Sequence, residues 1–309
     1  MKYKEWLPDW LEHYMKPSIK PKTFMRYSEI VRLHLIPKLV DHDMDELSPI
    51  IAQKFITELL NSGNLKTGGS LSASSVNTII VVLQNSLRTA QGLGLVDKYE
   101  MDKIKRPKIK GKKIDCFMPE EQKKIEQAVM NDKREKMKGI IICLYTGLRI
   151  GELLALEWSD IDFQNSEISI TKSCYDAKGD DGKLKRFIGP PKTETYIRDI
   201  PIPKSIVHML KEMKKSSTSI YVISGKDAPP TVRSYQRSFE LLLKKLNIPH
   251  RGFHYLRHTF ATRAIECGMD AKTLSEILGH KSPVITLTKY AHSLIKHKRD
   301  MMNLVGKLL

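Results

Sequence analysis

Apolar residues recur at helical spacing through the first third of the chain. Trp6, Leu7, Trp10, Leu11 and Tyr14 fall on one face of a first helix, and a second segment runs from Thr23 and stops at Pro37. Ser48 followed by Pro49 has the form of an N-cap with proline at the first helical position, and Ile50, Ile51, Phe55, Ile56 and Leu59 supply the apolar stripe behind it. A loop containing Asn61, Gly63, Gly68 and Gly69 then leads to Ser72. This residue opens a fourth segment, whose Val76, Ile79, Ile80, Leu83 and Leu87 keep helical spacing until Gly92 and Gly94. The pattern predicts a four-helix domain.

The pattern breaks between Lys103 and Lys113, where seven of eleven residues are Lys or Arg, interrupted by Pro107 and Gly111. Such a stretch suits neither a core nor a helix and is an interdomain linker. It serves either as a solvated tether or as a segment crossing the backbone of a bound duplex, with Lys103, Lys105, Arg106, Lys108, Lys110, Lys112 and Lys113 as the backbone-contact candidates. Helical patterning resumes at Pro119, and Met137 to Tyr145 form an apolar helix closed by Gly147. From Ile161 to Pro203 the period changes: Glu167 to Thr171 alternates, Lys185 to Ile188 begins a strand, and Tyr196 to Ile202 alternates again. Further helices are expected near 205–214, 231–246, 254–267, 271–278 and 283–291. The fold class is therefore mainly α with a small antiparallel sheet (α+β). Its predicted divisions are a helical domain over 1–102, a basic linker over 103–116, and a second domain with a C-terminal tail over 117–309.

Composition narrows the partner. A chain of 309 residues suits two compact domains, and 52 Lys and Arg against 35 Asp and Glu leave +17. That imbalance repels itself unless a polyanion lies nearby, which points to nucleic acid ahead of an anionic membrane. No apolar run approaches the roughly 20 residues that span a bilayer, and there is no signal-peptide core, so a cytoplasmic, non-membrane protein is expected. Cys116, Cys143, Cys174 and Cys267 are scattered without C-x-x-C pairs, which suits structural thiols better than a zinc or redox centre.

Four local features in the second half could carry chemistry: Thr146-Gly-Leu-Arg-Ile-Gly-Glu152, Pro191-Lys-Thr-Glu-Thr195, His254-Tyr-Leu-Arg257, and Leu278-Gly-His280 with Tyr290 ten residues further on. Singly, each has an ordinary explanation. Arg149 suits a helix start, with Glu152 as its ion-pair partner one turn on. Lys192 suits a solvated turn. His254 and Arg257 share a helical face as many surface pairs do, Gly279 ends a helix, and Tyr290 is by itself an unremarkable helical tyrosine.

Their order and company change the reading. Arg149, Lys192, His254-x-x-Arg257, Gly279-His280 and Tyr290 in that sequence resemble the active-site signature of tyrosine recombinases, the phage integrase family. The resemblance covers nearly the whole chain. The first half, with Trp6, Thr23 to Tyr27 and His34 to Leu39, looks like the core-binding domain of integrases from temperate phages and conjugative transposons. The second half looks like their catalytic domain. The chain starts at the core-binding domain, as in a short Xer-like member or a shortened form of a longer protein that carries an arm-binding domain.

The resemblance implies a site-specific recombinase that cleaves and rejoins DNA through a 3′-phosphotyrosine, integrating and excising a mobile element. Arginine suits phosphate because its planar fork donates two parallel hydrogen bonds and stays charged; Arg149 and Arg257 would clamp the phosphate, with His280 adding a further bond. Tyrosine is a poor nucleophile at neutral pH, since three units of ionisation from a pKa of about 10 cost about 4 kcal/mol. His254 is the candidate base, though its spacing equally permits a purely phosphate-binding role. By resemblance Lys192 is the acid that protonates the leaving 5′ oxygen, and Glu152 supports the site. The reaction needs no metal, nucleotide or redox cofactor, because the phosphotyrosine conserves the bond energy.

The tail after Tyr290 carries Leu294, Ile295, Met301, Met302, Leu304, Val305, Leu308 and Leu309 on a basic segment. It either packs on its own domain or, as the resemblance implies, docks on a neighbouring protomer in a tetramer on paired DNA sites. Two rival readings stand beside recombination. A type IB topoisomerase-like relaxase would use the same intermediate. A helix-turn-helix regulator built on Asp270 to Tyr290 would leave Arg149, Lys192 and the His-x-x-Arg pair without a task.

Overall fold

The structure, a computed structural model, describes residues 1–309 other than 40, 110–114, 179–181, 190–196, 225–227, 281, 291–298, 300–301, 304 and 307–309. The side chains of Lys178, Leu184, Ile285, Thr288, Lys289 and Tyr290 also lie outside the description. The chain divides into two compact units, Met1–Lys112 with Ala177–Leu184, and Lys113–Asp176 with Lys185–Leu309. Among the described residues no helix is long and apolar enough to cross a membrane.

The first unit is built on helices α1 (Tyr3–Asp9), α2 (Pro21–Ile30), α3 (Ile36–Leu39), α4 (Pro49–Ser62) and α5 (Ala73–Gly92). A wide π turn, Trp10–Met15, extends α1, and another, Val31–Leu35, joins α2 to α3. The second helical run therefore passes through Pro37 to Leu39, where the sequence pattern stops it. In the π turn the Ile36 N–H donates to the Val31 carbonyl five residues back. The widened turn moves the backbone away from the proline ring that would break a regular helix. Pro8 inside α1 is followed by the same device.

Tyr3, Trp6, Leu7 and Trp10 are buried, and full burial of a side chain such as that of Leu7 contributes about 1.5–3 kcal/mol. Their polar atoms find partners on α5. The Tyr3 hydroxyl meets Ser86 Oγ at 2.6 Å, Trp6 Nε1 donates to the Ser86 carbonyl at 3.0 Å, and Trp10 Nε1 donates to Thr89 Oγ1 at 3.2 Å. Ser48 caps α4 by accepting from the Ile51 N–H, and Ser72 caps α5 by accepting from Ser75. Ile50, placed in the stripe by sequence, is 69% exposed, because it stands at the second position of α4, on the side away from Phe55, Ile56 and Leu59.

The basic stretch begins fastened to this unit. Ile104 is buried in its core, the Lys105 N–H donates to Gln53 Oε1 at 2.8 Å, Arg106 donates to Gln84, and the Pro107 carbonyl accepts from Asn77 Nδ2 at 2.9 Å. Lys110, Lys112 and Lys113 lie outside the described residues.

The second unit contains α6 (Pro119–Met130), α7 (Gly139–Thr146), α8 (Ile150–Ala155), strands β1 (Ile161–Asp162), β2 (Glu167–Ile170) and β5 (Arg198–Pro201), the greater part of β3 (Ser173–Lys178) and β4 (Leu184–Gly189), and helices α9 (Lys204–Ser216), α10 (Val232–Lys245), α11 (His254–Glu266), α12 (Ala271–Leu278) and α13 (Pro283–Tyr290). α7 is apolar on every side and central, with Ile140 to Leu144 all buried. The strands form two sheets where the sequence suggested one: an antiparallel β1-β2-β5 sheet and a separate β3-β4 pair. In the first, Ile168 pairs with Ile200 and Ile170 with Arg198. The two-residue period puts Arg198 on the same face as the buried Ile200 and Ile202.

Candidate active site

Two left-handed glycines frame the site. α7 ends at Gly147 with φ of +67°, and α12 ends at Gly279 with φ of +61°. A Cβ at Gly147 would stand 2.6 Å from a Phe260 ring carbon and 2.8 Å from Leu278, so only glycine allows α7 to stop there. The reversal at Gly279 is closed by the Gly279 N–H donating to the Glu276 carbonyl and the His280 N–H donating to the Ser275 carbonyl, both at 2.9 Å.

Arg257 reaches both turns from α11. Its Nη1 donates to the Gly147 carbonyl at 2.8 Å and its Nη2 to the Leu278 carbonyl at 2.5 Å. These are carbonyls at helix C-termini, where the aligned peptide dipoles concentrate negative charge. They explain how a guanidinium that is only 2% exposed is tolerated. Arg149 is the N-cap residue of α8 and remains 31% exposed at the side chain. It donates through Nη2 to the Gly279 carbonyl at 3.3 Å and through Nη1 to Glu152 Oε1 at 2.7 Å. The two arginines therefore hold consecutive carbonyls of one turn. Two cations so placed repel each other, and an anion between them would relieve the repulsion.

Glu152 is buried and takes the Arg149 backbone N–H on Oε2 at 2.9 Å, so it caps α8 while pairing with the Arg149 side chain. Burial pushes its carboxyl up, but the charges of and hydrogen bonds from Arg198, then those of Arg149, more than offset this and hold it below the ordinary carboxylate value. Arg198 is a residue that the sequence motifs did not single out. It projects from β5 at 7% side-chain exposure, donating to the Ile277 carbonyl through Nε at 2.6 Å and to the Glu152 oxygens through Nη1 and Nη2 at 3.3 and 3.0 Å. A signal for it did exist in the sequence, since an arginine occupies the apolar phase of the Tyr196 to Ile202 alternation.

His280 follows Gly279, with Nδ1 2.8 Å from the hydroxyl oxygen of Thr286, a buried residue of α13. This contact orients the ring. His254 is the first residue of α11, exposed, with its ring edge-on to His258 at 4.5 Å between centroids and one turn before Arg257. Tyr290 is the last residue of α13. The structure thus brings Arg149, Glu152, Arg257 and the turn carrying His280 into one cluster. Lys192 lies outside the described residues, as does most of the C-terminal tail; of its apolar residues, Met302 and Val305 are described and exposed.

Two arginines and a histidine thus stand on paired glycine turns of a mainly helical unit, and a second helical unit precedes it in the chain. The model of the phage integrase family matches residues 116–297, and that of the phage integrase N-terminal SAM-like domain matches residues 2–60. The chain belongs to the phage integrase family of tyrosine recombinases, whose activity is the cleavage and rejoining of DNA strands in site-specific recombination.

Among curated relatives it is 30% identical to a XerC-like tyrosine recombinase of Caldanaerobacter subterraneus, over 97% of this chain and 81% of the relative. It is 26% identical to the ICEBs1 integrase of Bacillus subtilis, over 94% and 79%. The fold matches a Tn1549 transposon integrase solved with transposon right end DNA, with a TM-score of 0.79 at 23% identity over 99% of this chain and 100% of that one. It also matches a lambda integrase dimer bound to a core site, with a TM-score of 0.70 at 20% identity over 94% and 95%.

Proposed function

We propose that the cluster binds the scissile phosphate of a duplex recombination site and that Tyr290 attacks it. The tyrosine oxygen bonds to phosphorus, the bond to the 5′ oxygen breaks, and a 3′-phosphotyrosine and a 5′ hydroxyl result. Arg149 and Arg257 offset the charge of the phosphate oxygens, and His280 donates to the same group. His254 takes the tyrosine proton or adds to phosphate binding; Lys192 gives a proton to the leaving oxygen, a role that rests on the family motif. Attack by a 5′ hydroxyl from another strand reverses the step and completes exchange.

The observation that supports this reading is the placement of both guanidinium groups on the consecutive carbonyls of Leu278 and Gly279. The substrate is double-stranded DNA with specific sites. The described basic side chains Lys103, Lys105, Arg106 and Lys108 are exposed and supply affinity for the DNA backbone. The chain acts in the cytoplasm as a tetramer assembled through its C-terminal tail, integrating and excising a mobile element. This rests on family likeness, with solved relatives including a lambda integrase tetramer on a Holliday junction. The test is a duplex carrying a candidate site and a nick that traps the intermediate. A denaturation-resistant adduct supports the proposal, and its absence from every candidate attachment site of the host element would remove it.

A further inference from the structure

One ion-pair network around the site is not accounted for by phosphate binding. Glu152 carries a single negative charge yet contacts two guanidinium groups, those of Arg149 and Arg198. With Arg149 alone it would form a neutral pair, and an arginine cancelled by a carboxylate attracts a phosphate weakly. With Arg198 added, the three groups sum to one positive charge, and the cation nearer solvent is Arg149: its side chain is 31% exposed against 7% for Arg198.

Arg198 also has a mechanical connection to the site. Its Nε grips the Ile277 carbonyl, one residue before the Leu278 carbonyl that holds Arg257 and two before the Gly279 carbonyl that holds Arg149. Gly279 lies directly against it, since a Cβ there would stand 3.1–3.2 Å from its Nη1, Cδ and Cζ. β5 thus ties the start of α8 to the end of α12 through one side chain.

We infer that Arg198 is a positioning residue for strand cleavage: it balances the charge of Glu152, so that Arg149 and Glu152 do not cancel as a pair, and it sets the height of the turn presenting His280. The inference rests on the reading of Arg149 as a phosphate ligand. Among the described residues Arg198 contacts Glu152 and the Ile277 carbonyl, and through them it acts on Arg149 and the turn.

The experiment measures the single-turnover rate of covalent adduct formation on a nicked duplex at saturating protein, with thermal unfolding of each variant alongside. Arg198→Ala lowers the rate about 10- to 100-fold, by analogy with the loss that follows removal of a group orienting a metal ligand. Adding Glu152→Gln to Arg198→Ala recovers part of the loss, because no carboxylate is then left to cancel the charge of Arg149; a purely structural defect would deepen instead. Arg198→Lys keeps a charge near Glu152 but cannot span Glu152 and the Ile277 carbonyl with a planar fork. Its rate falls between wild type and Arg198→Ala, and it carries the test if the alanine variant does not fold.

A wild-type rate in Arg198→Ala or Arg198→Lys would overturn the inference, as would a double variant no faster than Arg198→Ala. Loss of adduct from the wild-type protein itself is the separate failure that removes the proposed function.

Discussion

Arg257 and Arg149 donate to adjacent carbonyls, those of Leu278 and Gly279 at the left-handed turn that ends α12, although one comes from α11 and the other from the start of α8. One arginine is sealed in the core and the other is partly open to solvent, a division between two otherwise parallel contacts.

That division predicts unequal effects on stability. Arg257→Ala leaves two buried carbonyls without their donor and should cost roughly 2–4 kcal/mol. Arg149→Ala leaves Glu152 still paired with Arg198 and should cost less than half as much, while abolishing cleavage. Urea unfolding of both variants checks the order, and equal losses would contradict it.

The glycine turns should differ in tolerance. Gly279→Ala carries the left-handed strain, about 1–2 kcal/mol, and crowds Arg198. Gly147→Ala adds overlap with the Phe260 ring and Leu278 and should cost more. Gly92→Ala, at the end of α5 with open space around it, should be neutral or slightly stabilising. Thermal melts should place Gly92→Ala highest, Gly279→Ala below it and Gly147→Ala lowest.

Glu152 sets a pH dependence. Its folded carboxyl lies below the ordinary value of 4.5, so its contribution is fully present above about pH 4.5 and is lost as pH falls through the folded value. The stability difference between wild type and Glu152→Gln should therefore be constant at higher pH and shrink on acidification below 4.5. A difference that grows on acidification would reverse the sign.

In the first unit, Tyr3→Phe and Ser86→Ala each break the buried 2.6 Å bond, and Ser86→Ala strands the tyrosine hydroxyl at a cost of about 1–3 kcal/mol. The double variant should be less destabilised than the sum of the singles. Additive losses in a double-mutant cycle would show that the contact contributes little.

What the sequence made legible was local. Ser48-Pro49 and Ser72 cap helices by rules spanning three or four residues, and Gly147 and Gly279 are readable because only glycine enters left-handed backbone freely. Pro37 was misleading because the π turn before it has no simple composition signal, and Ile50 because an apolar run at a helix start does not say which side faces inward. Arg149 and Arg257 came from order and family likeness, whereas their shared grip on one turn depends on pairings 130 and 21 residues apart. Arg198 escaped for the same reason, its partners lying 46 residues before it and 79 after.

The most direct measurement is the covalent state of Tyr290. Wild-type protein on a nicked site should yield a denaturation-resistant adduct whose digestion leaves nucleotide on the peptide containing Tyr290, while Tyr290→Phe should bind the same duplex with unchanged affinity and form none. An adduct that persists in Tyr290→Phe, or maps to another residue, would contradict the account.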